Sequence, residues 1–315
     1  MPSSHPFHTV DAFTSRPFSG NPAAVLVFSD SEEDQRRAGD DDKNQLVAAE
    51  FNLAETAFAR KIPGEGSDEE PVYELRWRTP TVEVPLCGHA TLATAHVLFS
   101  TTHPTATTIR FPTRQSGELR ATKSTSSSGD ELISLDFPAG DILTLEDGHR
   151  RRPKVVEAVR KATRLEEDAI KRVAWYDAWD AAVVELDSTV GLEALDVKVS
   201  ELASYAKLTI LTQPAPANSG FDIYSRVFAP AVGIDEDPVT GAAHTALTPF
   251  WLSPASLPRL SATLSAKDAK KHRTLRAKQV SRRGGEIECV LSEDGKRAEL
   301  RGRARTVMRG EIELE

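Results

Sequence analysis

The chain has 315 residues, 39% of them hydrophobic and 27% charged, with a formal net charge of −8 and a pI near 5.6. That length suits two domains with cores of their own, and the acidic balance is the opposite of what nucleic-acid binding needs. No apolar run approaches the roughly 18–20 residues of a membrane span, the opening MPSSHPFHTVDAF has neither a basic n-region nor an apolar h-region to mark secretion, and Cys87 and Cys289 match no metal spacing, so a soluble cytoplasmic protein with no metal is expected.

In chain order, residues 9–28 give a strand-like start (HTVDAF), a Pro/Gly/Asn turn and a second apolar run (AAVLVF). The acidic residues 40–42 then offer caps to a helix that runs through Val47 to Phe51 and stops at Asn52. Residues 55–60 alternate as a strand, 64–71 form a polar acidic loop, and 73–77 and 82–86 are further strands. The stretch Cys87 to Phe99 is long enough for a helix but has no polar face, which means burial on all sides. The STSSSG run at 124–129 reads as an interdomain linker. Beyond it the pattern predicts a strand at LISLDF, a helix over 153–171, strands at 181–186 and 208–211, and a loop at 214–220. An apolar strand at 221–230 and a second small-residue helix from Gly241 to Trp251 follow, then three strands at 286–291, 297–300 and 305–314. The basic runs at 149–152 and 267–273 read as solvated surface, and so do the stretches 30–41 and 63–71.

One arrangement occurs twice. Arg78-Thr-Pro80 stands eight residues before Gly88, and Phe228-Ala-Pro230 stands eleven before Gly241. Each block runs strand, proline, glycine, then a buried helix. Two equivalent domains would turn two helix N-termini toward a shared cleft. Unpaired N–H groups there attract a small anion such as a carboxylate, and glycine lets it approach the backbone closely. Glu55 sits in an otherwise apolar stretch (NLAETAF), where a low dielectric raises a carboxyl pKa toward the range useful for proton transfer. A salt-bridged strand carboxylate is the plainer alternative. His89 reads either as a donor to substrate or as a core histidine, and Asp237 as a cap of the following turn or helix. Cys87 is a candidate thiolate, but its counterpart in the second half is Thr240, too weak an acid to serve as the second base of a racemase. Cys289, in an alternating strand, reads as core, and His8, His96 and His244 as core or supporting residues.

The motifs Asp11-Ala-Phe-Thr…Phe18-Ser-Gly-Asn21-Pro, Asn52-Leu-Ala-Glu-Thr-Ala-Phe58, Glu83-Val-Pro-Leu-Cys-Gly-His-Ala-Thr-Leu92 and Ser225-Arg…Glu236-Asp-Pro-Val-Thr-Gly241 together resemble the PhzF family of phenazine biosynthesis-like isomerases, relatives of diaminopimelate epimerase. The resemblance spans nearly the whole chain. It implies an α+β fold of two pseudosymmetric domains, each a mostly antiparallel β-barrel around a central helix. The domains are expected at 1–128 and 129–315, with the last strand a candidate to return to the first. It further implies a homodimer without cofactor, Glu55, His89 and Asp237 as catalytic groups, and Asn21, Gly88, Gly241 and Ala242 as substrate contacts. Ala242 stands where the family often has serine, which removes a hydroxyl donor and points away from the prototypic phenazine precursor. The expected function is a cofactor-independent isomerase in which Glu55 shuttles a proton between carbons of a small amino or hydroxy carboxylic acid. A Cys87-dependent epimerase and a non-catalytic metabolite-binding protein of the same fold are the alternatives.

Overall fold

The computed structural model describes residues 4–126, 129–260 and 273–314. All but the last residue of the basic run at 267–273 lies outside the described residues. The chain divides into two compact units, one made of Met1–Asp136 with Arg301–Glu315 and the other of Phe137–Leu300. The STSSSG stretch is therefore not a link between units. Ser124 pairs with Leu132 and Thr125 with Glu131, so the residues on both sides lie in the first unit.

In the first unit the elements run β1 (Ser4–Ala12), β2 (Asn21–Phe28), α1 (Glu32–Ala38), α2 (Asp41–Phe51), β3 (Glu55–Gly66), β4 (Pro71–Arg78), β5 (Glu83–Val84), α3 (Gly88–Val97), β6 (Thr108–Pro112), β7 (Glu118–Thr125) and β8 (Glu131–Pro138). The second unit follows with β9 (Ile142–Thr144), α4 (Arg152–Thr163), β10 (Ile170–Tyr176), β11 (Ala181–Leu186), β12 (Leu208–Pro214), β13 (Ile223–Ala229), β14 (Ile234–Asp237), α5 (Gly241–Leu252), α6 (Leu257–Leu260), β15 (Thr274–Gln279), β16 (Gly285–Leu291) and β17 (Arg297–Gly302). The last strand, β18 (Ala304–Glu313), pairs with β1 in the first unit.

The two units repeat one pairing scheme. In the first, β18–β1 and β1–β2 are antiparallel, β2–β3 parallel, β3–β4 antiparallel, β4–β6 parallel and β6–β7 antiparallel. In the second, the same alternation runs through β9–β10, β10–β11, β11–β12, β12–β13, β13–β15 and β15–β16. A short strand leads into the central helix each time, β5 against β4 before α3 and β14 against β13 before α5. The registers also keep step. Glu55 opens the β2–β3 ladder opposite Ala23, and Leu208 opens the β11–β12 ladder opposite Ala181. Thr56 then meets Arg78 as Thr209 meets Phe228, so Arg76 corresponds to Arg226. The starts of α3 and α5 match Cys87 to Thr240, Gly88 to Gly241 and His89 to Ala242.

Both central helices are buried on nearly every side, as a helix without a polar face must be. Eight of the ten residues of α3 are buried, and it packs on β1, β2, β3, β7 and β18. Nine of the twelve residues of α5 are buried, and it packs on β9, β15 and β16. Small side chains (Gly, Ala and Thr) keep both helices slender enough for strands to surround them.

Four local readings change. The helix expected over 153–171 ends at Thr163, where Arg164 takes a left-handed conformation at φ 60°, and β10 begins at Ile170. The strand expected over 82–86 shrinks to β5, since Val82 is exposed and Pro85 cannot donate to a ladder. Part of the 30–41 stretch is the helix α1, capped by Ser31, whose side chain accepts from the Asp34 amide. The acidic loop at 64–71 is the tip of the β3–β4 hairpin, with β3 running on to Gly66. Among the described residues, no helix is long and apolar enough to cross a membrane.

Candidate active site

In the first unit three side chains from two elements converge. Glu55 is the first residue of β3, placed there by the left-handed Asn52 that closes α2. Cys87 is the N-cap of α3 and His89 its second residue, so a single turn presents both. His89 Nε2 lies 3.3 Å from Glu55 Oε2, and Cys87 Sγ lies 3.4 Å from His89 Nδ1. The imidazole is thus flanked by a carboxylate on one nitrogen and a sulfur on the other. Glu55 keeps 15% of its side chain exposed while His89 keeps 7%, which leaves the carboxylate as the member open to a ligand.

Burial pushes the His89 pKa down to about 3; the Pro22 backbone, which offers only a carbonyl, opposes that shift. At neutral pH the ring is therefore uncharged. It can donate one hydrogen bond to a developing negative charge, but it does not carry a positive charge into the site. Asn21, adjacent to that Pro22, is fully buried at the start of β2. Its place is fixed by an unusual turn. Phe13, Phe18 and Gly20 all have positive φ, and the buried Asp11 carboxylate accepts from the Phe18 amide at 2.8 Å. Only glycine fits at position 20, since a Cβ there would stand 2.2 Å from the Ala12 carbonyl oxygen.

Cys87 provides no side-chain cap for α3. The Cys87 side chain thus leaves the first N–H groups of the helix, the positive end of its dipole, uncapped. Gly88, the first helical residue, is half-buried, so this end of the helix is not sealed from solvent.

The second unit assembles a different set at the matching place. Thr240 is the N-cap of α5; its hydroxyl donates to Asp237 Oδ2. Gln279 ties this turn together, donating from Nε2 to the Asp237 carbonyl at 2.6 Å and accepting at Oε1 from the Thr240 amide at 2.9 Å. His244 Nδ1 donates to the Thr240 carbonyl at 2.8 Å, and burial holds its pKa down at about 4. Ala242 is half-buried and Gly241 buried. The structure thus groups Glu55, Cys87, Gly88 and His89 in one unit and Asp237, Thr240, Gly241 and Ala242 in the other. His96, on α3, bonds Thr306 Oγ1 at 3.1 Å, and Cys289 is fully buried with its thiol pKa pushed up to about 12.

Sequence reasoning missed Gln279 and a pair of buttresses. Arg76 holds Glu83 through Nε at 2.9 Å and Nη2 at 2.6 Å, and Arg226 holds Glu236 in the same way at 2.7 and 2.9 Å. Each two-pronged ion pair locks the short strand that delivers a central helix. The matched spacing of Arg76 and Arg226 within the repeat is the signal that could have found them.

A family model described as phenazine biosynthesis-like protein matches residues 10–310. A phenazine biosynthesis-like domain-containing protein from Bos taurus is 37% identical over 319 residues, covering 98% of both chains. A protein named as an uncharacterized isomerase from Pseudomonas aeruginosa is 37% identical over 309 residues, again covering 98% of both. The crystal structure of a PhzF family protein from Enterococcus faecalis superposes with a TM-score of 0.75 at 32% identity, covering 98% of this chain and 99% of that one.

Proposed function

Because the chain belongs to the phenazine biosynthesis-like (PhzF) family, we propose that it is a cofactor-independent isomerase of a small amino or hydroxy carboxylic acid. The observation that carries this reading is the 3.3 Å contact between a half-buried Glu55 and a buried, uncharged His89 at the start of a buried helix. The bacterial relative's name, an isomerase, agrees with it.

The substrate carboxylate would lie against the N–H groups that open α3, where the helix dipole favours an anion. Glu55, as a carboxylate, takes a proton from a carbon made acidic by a neighbouring unsaturated group. The electron pair left behind spreads along the conjugated system. The protonated Glu55 then returns its proton to another carbon on the same face, and the double bond has moved. His89 donates to the negative charge that builds up between the two steps. A shuttle of this kind contributes about 10²–10⁴-fold. Asp237, as a catalytic group, and Asn21, Gly241 and Ala242, as substrate contacts, enter the proposal on the sequence resemblance. The cytoplasmic, homodimeric state enters on composition and resemblance.

The Cys87–His89 contact favours one second reading, an epimerase using the thiol. Inversion by two bases needs a partner for Cys87. Its counterpart in the repeat is Thr240, whose hydroxyl is already committed to Asp237, so the proton shuttle is the better account. The test is Glu55→Gln, assayed against a panel of small unsaturated amino and hydroxy acids. The variant is expected to bind as the wild type does and to turn over about 10²–10⁴ times more slowly; equal turnover refutes the assignment.

A further inference from the structure

Glu55, Cys87 and His89 offer a carboxylate oxygen, a sulfur and an imidazole nitrogen that all lie within 4.8 Å of one another, and among the described residues they are the one such group. Tetrahedral zinc, with a bond of about 2.3 Å to sulfur and about 2.0–2.1 Å to nitrogen or oxygen, sets its ligands about 3.6 Å apart for S···N and about 3.4 Å apart for N···O. Cys87 Sγ stands 3.4 Å from His89 Nδ1, close to one such edge, whereas Glu55 Oε2 stands 3.3 Å from the other ring nitrogen, Nε2. One ion takes one ring nitrogen, so the third ligand closes in by side-chain rotation from within the same 4.8 Å. His89 Nε2 is buried and has no hydrogen-bond partner of good geometry, so it is a lone pair or N–H that the fold leaves aimed at Glu55.

We propose that these three side chains form a binding site for a thiophilic divalent cation of the zinc class. Cys87 would lose its thiol proton to solvent on ligation. A thiolate and a carboxylate then balance the charge of the ion, and the sulfur selects zinc or cobalt over magnesium or calcium. Three protein ligands leave the fourth position of a tetrahedron to water. Occupancy would silence the enzyme, because a carboxylate bound to the ion cannot take a proton from carbon. The inhibition rests on the role proposed for Glu55, whereas the binding rests on the geometry alone.

The test is titration of the full chain with cobalt(II) chloride, read by absorption, followed by displacement with zinc chloride. A near-ultraviolet thiolate-to-cobalt band that saturates at one equivalent and disappears with zinc is expected. Cys87→Ser should abolish the band, and Cys289→Ser should keep it. Absence of the band in the wild type, or its survival in Cys87→Ser, overturns the site. X-ray absorption of the zinc-loaded wild type gives a check independent of any variant. One sulfur at about 2.3 Å with nitrogen or oxygen at about 2.0–2.1 Å supports the site, and a shell of light atoms alone rejects it. Loss of turnover at one equivalent of zinc, restored by a chelator, is expected on the panel above. Cobalt bound as described with turnover untouched leaves the site standing and overturns the inhibition. Full activity of Glu55→Gln refutes the shuttle without bearing on the metal.

Discussion

Acidification should weaken this protein well before its carboxylates titrate. Burial pushes the pKa of His89 down to about 3 and those of His96 and His244 down to about 4, against 6.5 in an open chain. Below pH 6.5 the unfolded chain therefore binds protons that the folded one refuses. Stability is then complete above pH 6.5 and falls as the pH drops toward the folded values. From pH 7 to 5.5 each such histidine removes about 1.3 kcal/mol, and the three together about 4 kcal/mol, a large part of a typical folding free energy. His5, His8 and His103 are lowered by burial as well and act in the same direction. Asp41, held at about 2 by Arg76 and Arg114, loses its contribution only at lower pH. Urea unfolding at pH 7 and 5.5 measures the effect through tryptophan fluorescence, Trp77 reporting on the first unit and Trp251, buried in α5, on the second. The informative variant is His244→Asn. Its amide can still reach the Thr240 carbonyl, but it cannot be protonated. The second unit should then lose about 1.3 kcal/mol less than the wild type over that range. A stability that does not change between pH 7 and 5.5, or an unchanged slope in the variant, refutes the reasoning.

Gly20→Ala should cost more than about 2 kcal/mol by urea denaturation, since a side chain at φ 69° is strained and its Cβ meets the Ala12 carbonyl. Thr240→Val keeps the shape and the extended backbone but removes the donor to Asp237; a loss of about 1.5–3 kcal/mol is expected from that charged bond. If Asp237 takes part in the reaction, turnover of Thr240→Val should fall further than its denaturation midpoint implies. Arg226→Lys should weaken the second unit, because lysine cannot make the paired contact to Glu236, and a matching loss is expected in the first unit from Arg76→Lys.

The central helices were the most legible elements. A segment such as Gly88 to Val97, small or apolar on all sides, has only one stable place, inside its own sheet. The repeat was visible as well, because proline and glycine mark the entry to each helix. Strand β10 was hidden by its charges. Lys171 and Arg172 look solvent-facing, yet Arg172 stands opposite Glu185 on β11, and that glutamate is 1% exposed between Arg172 and Arg259. A charge answered across the ladder reads as polar in sequence and as interior in space. Helix α1 was missed for the opposite reason. It is polar except for the buried Ala38, and what forms it is the Ser31 cap and the Glu33–Arg37 pair one turn apart. At the site, a lone carboxylate among apolar residues singled out Glu55, and the helix start singled out Cys87 and His89. Their meeting depends on β3 and α3 packing together, which no spacing along the chain encodes. Gln279 had no local signal, because its partners lie on the turn before α5.

The most direct test of the Glu55 shuttle is solvent labelling in heavy water with a turned-over acid from the panel, followed by NMR. The account predicts that deuterium, gained by exchange on the protonated Glu55 before it returns its proton, lies on one face only of the newly saturated carbon, that remaining substrate keeps its configuration, and that product and label both form about 10²–10⁴ times more slowly with Glu55→Gln. Accumulation of the mirror-image acid, labelled at the inverted carbon and lost on Cys87→Ser but not on Glu55→Gln, would contradict it.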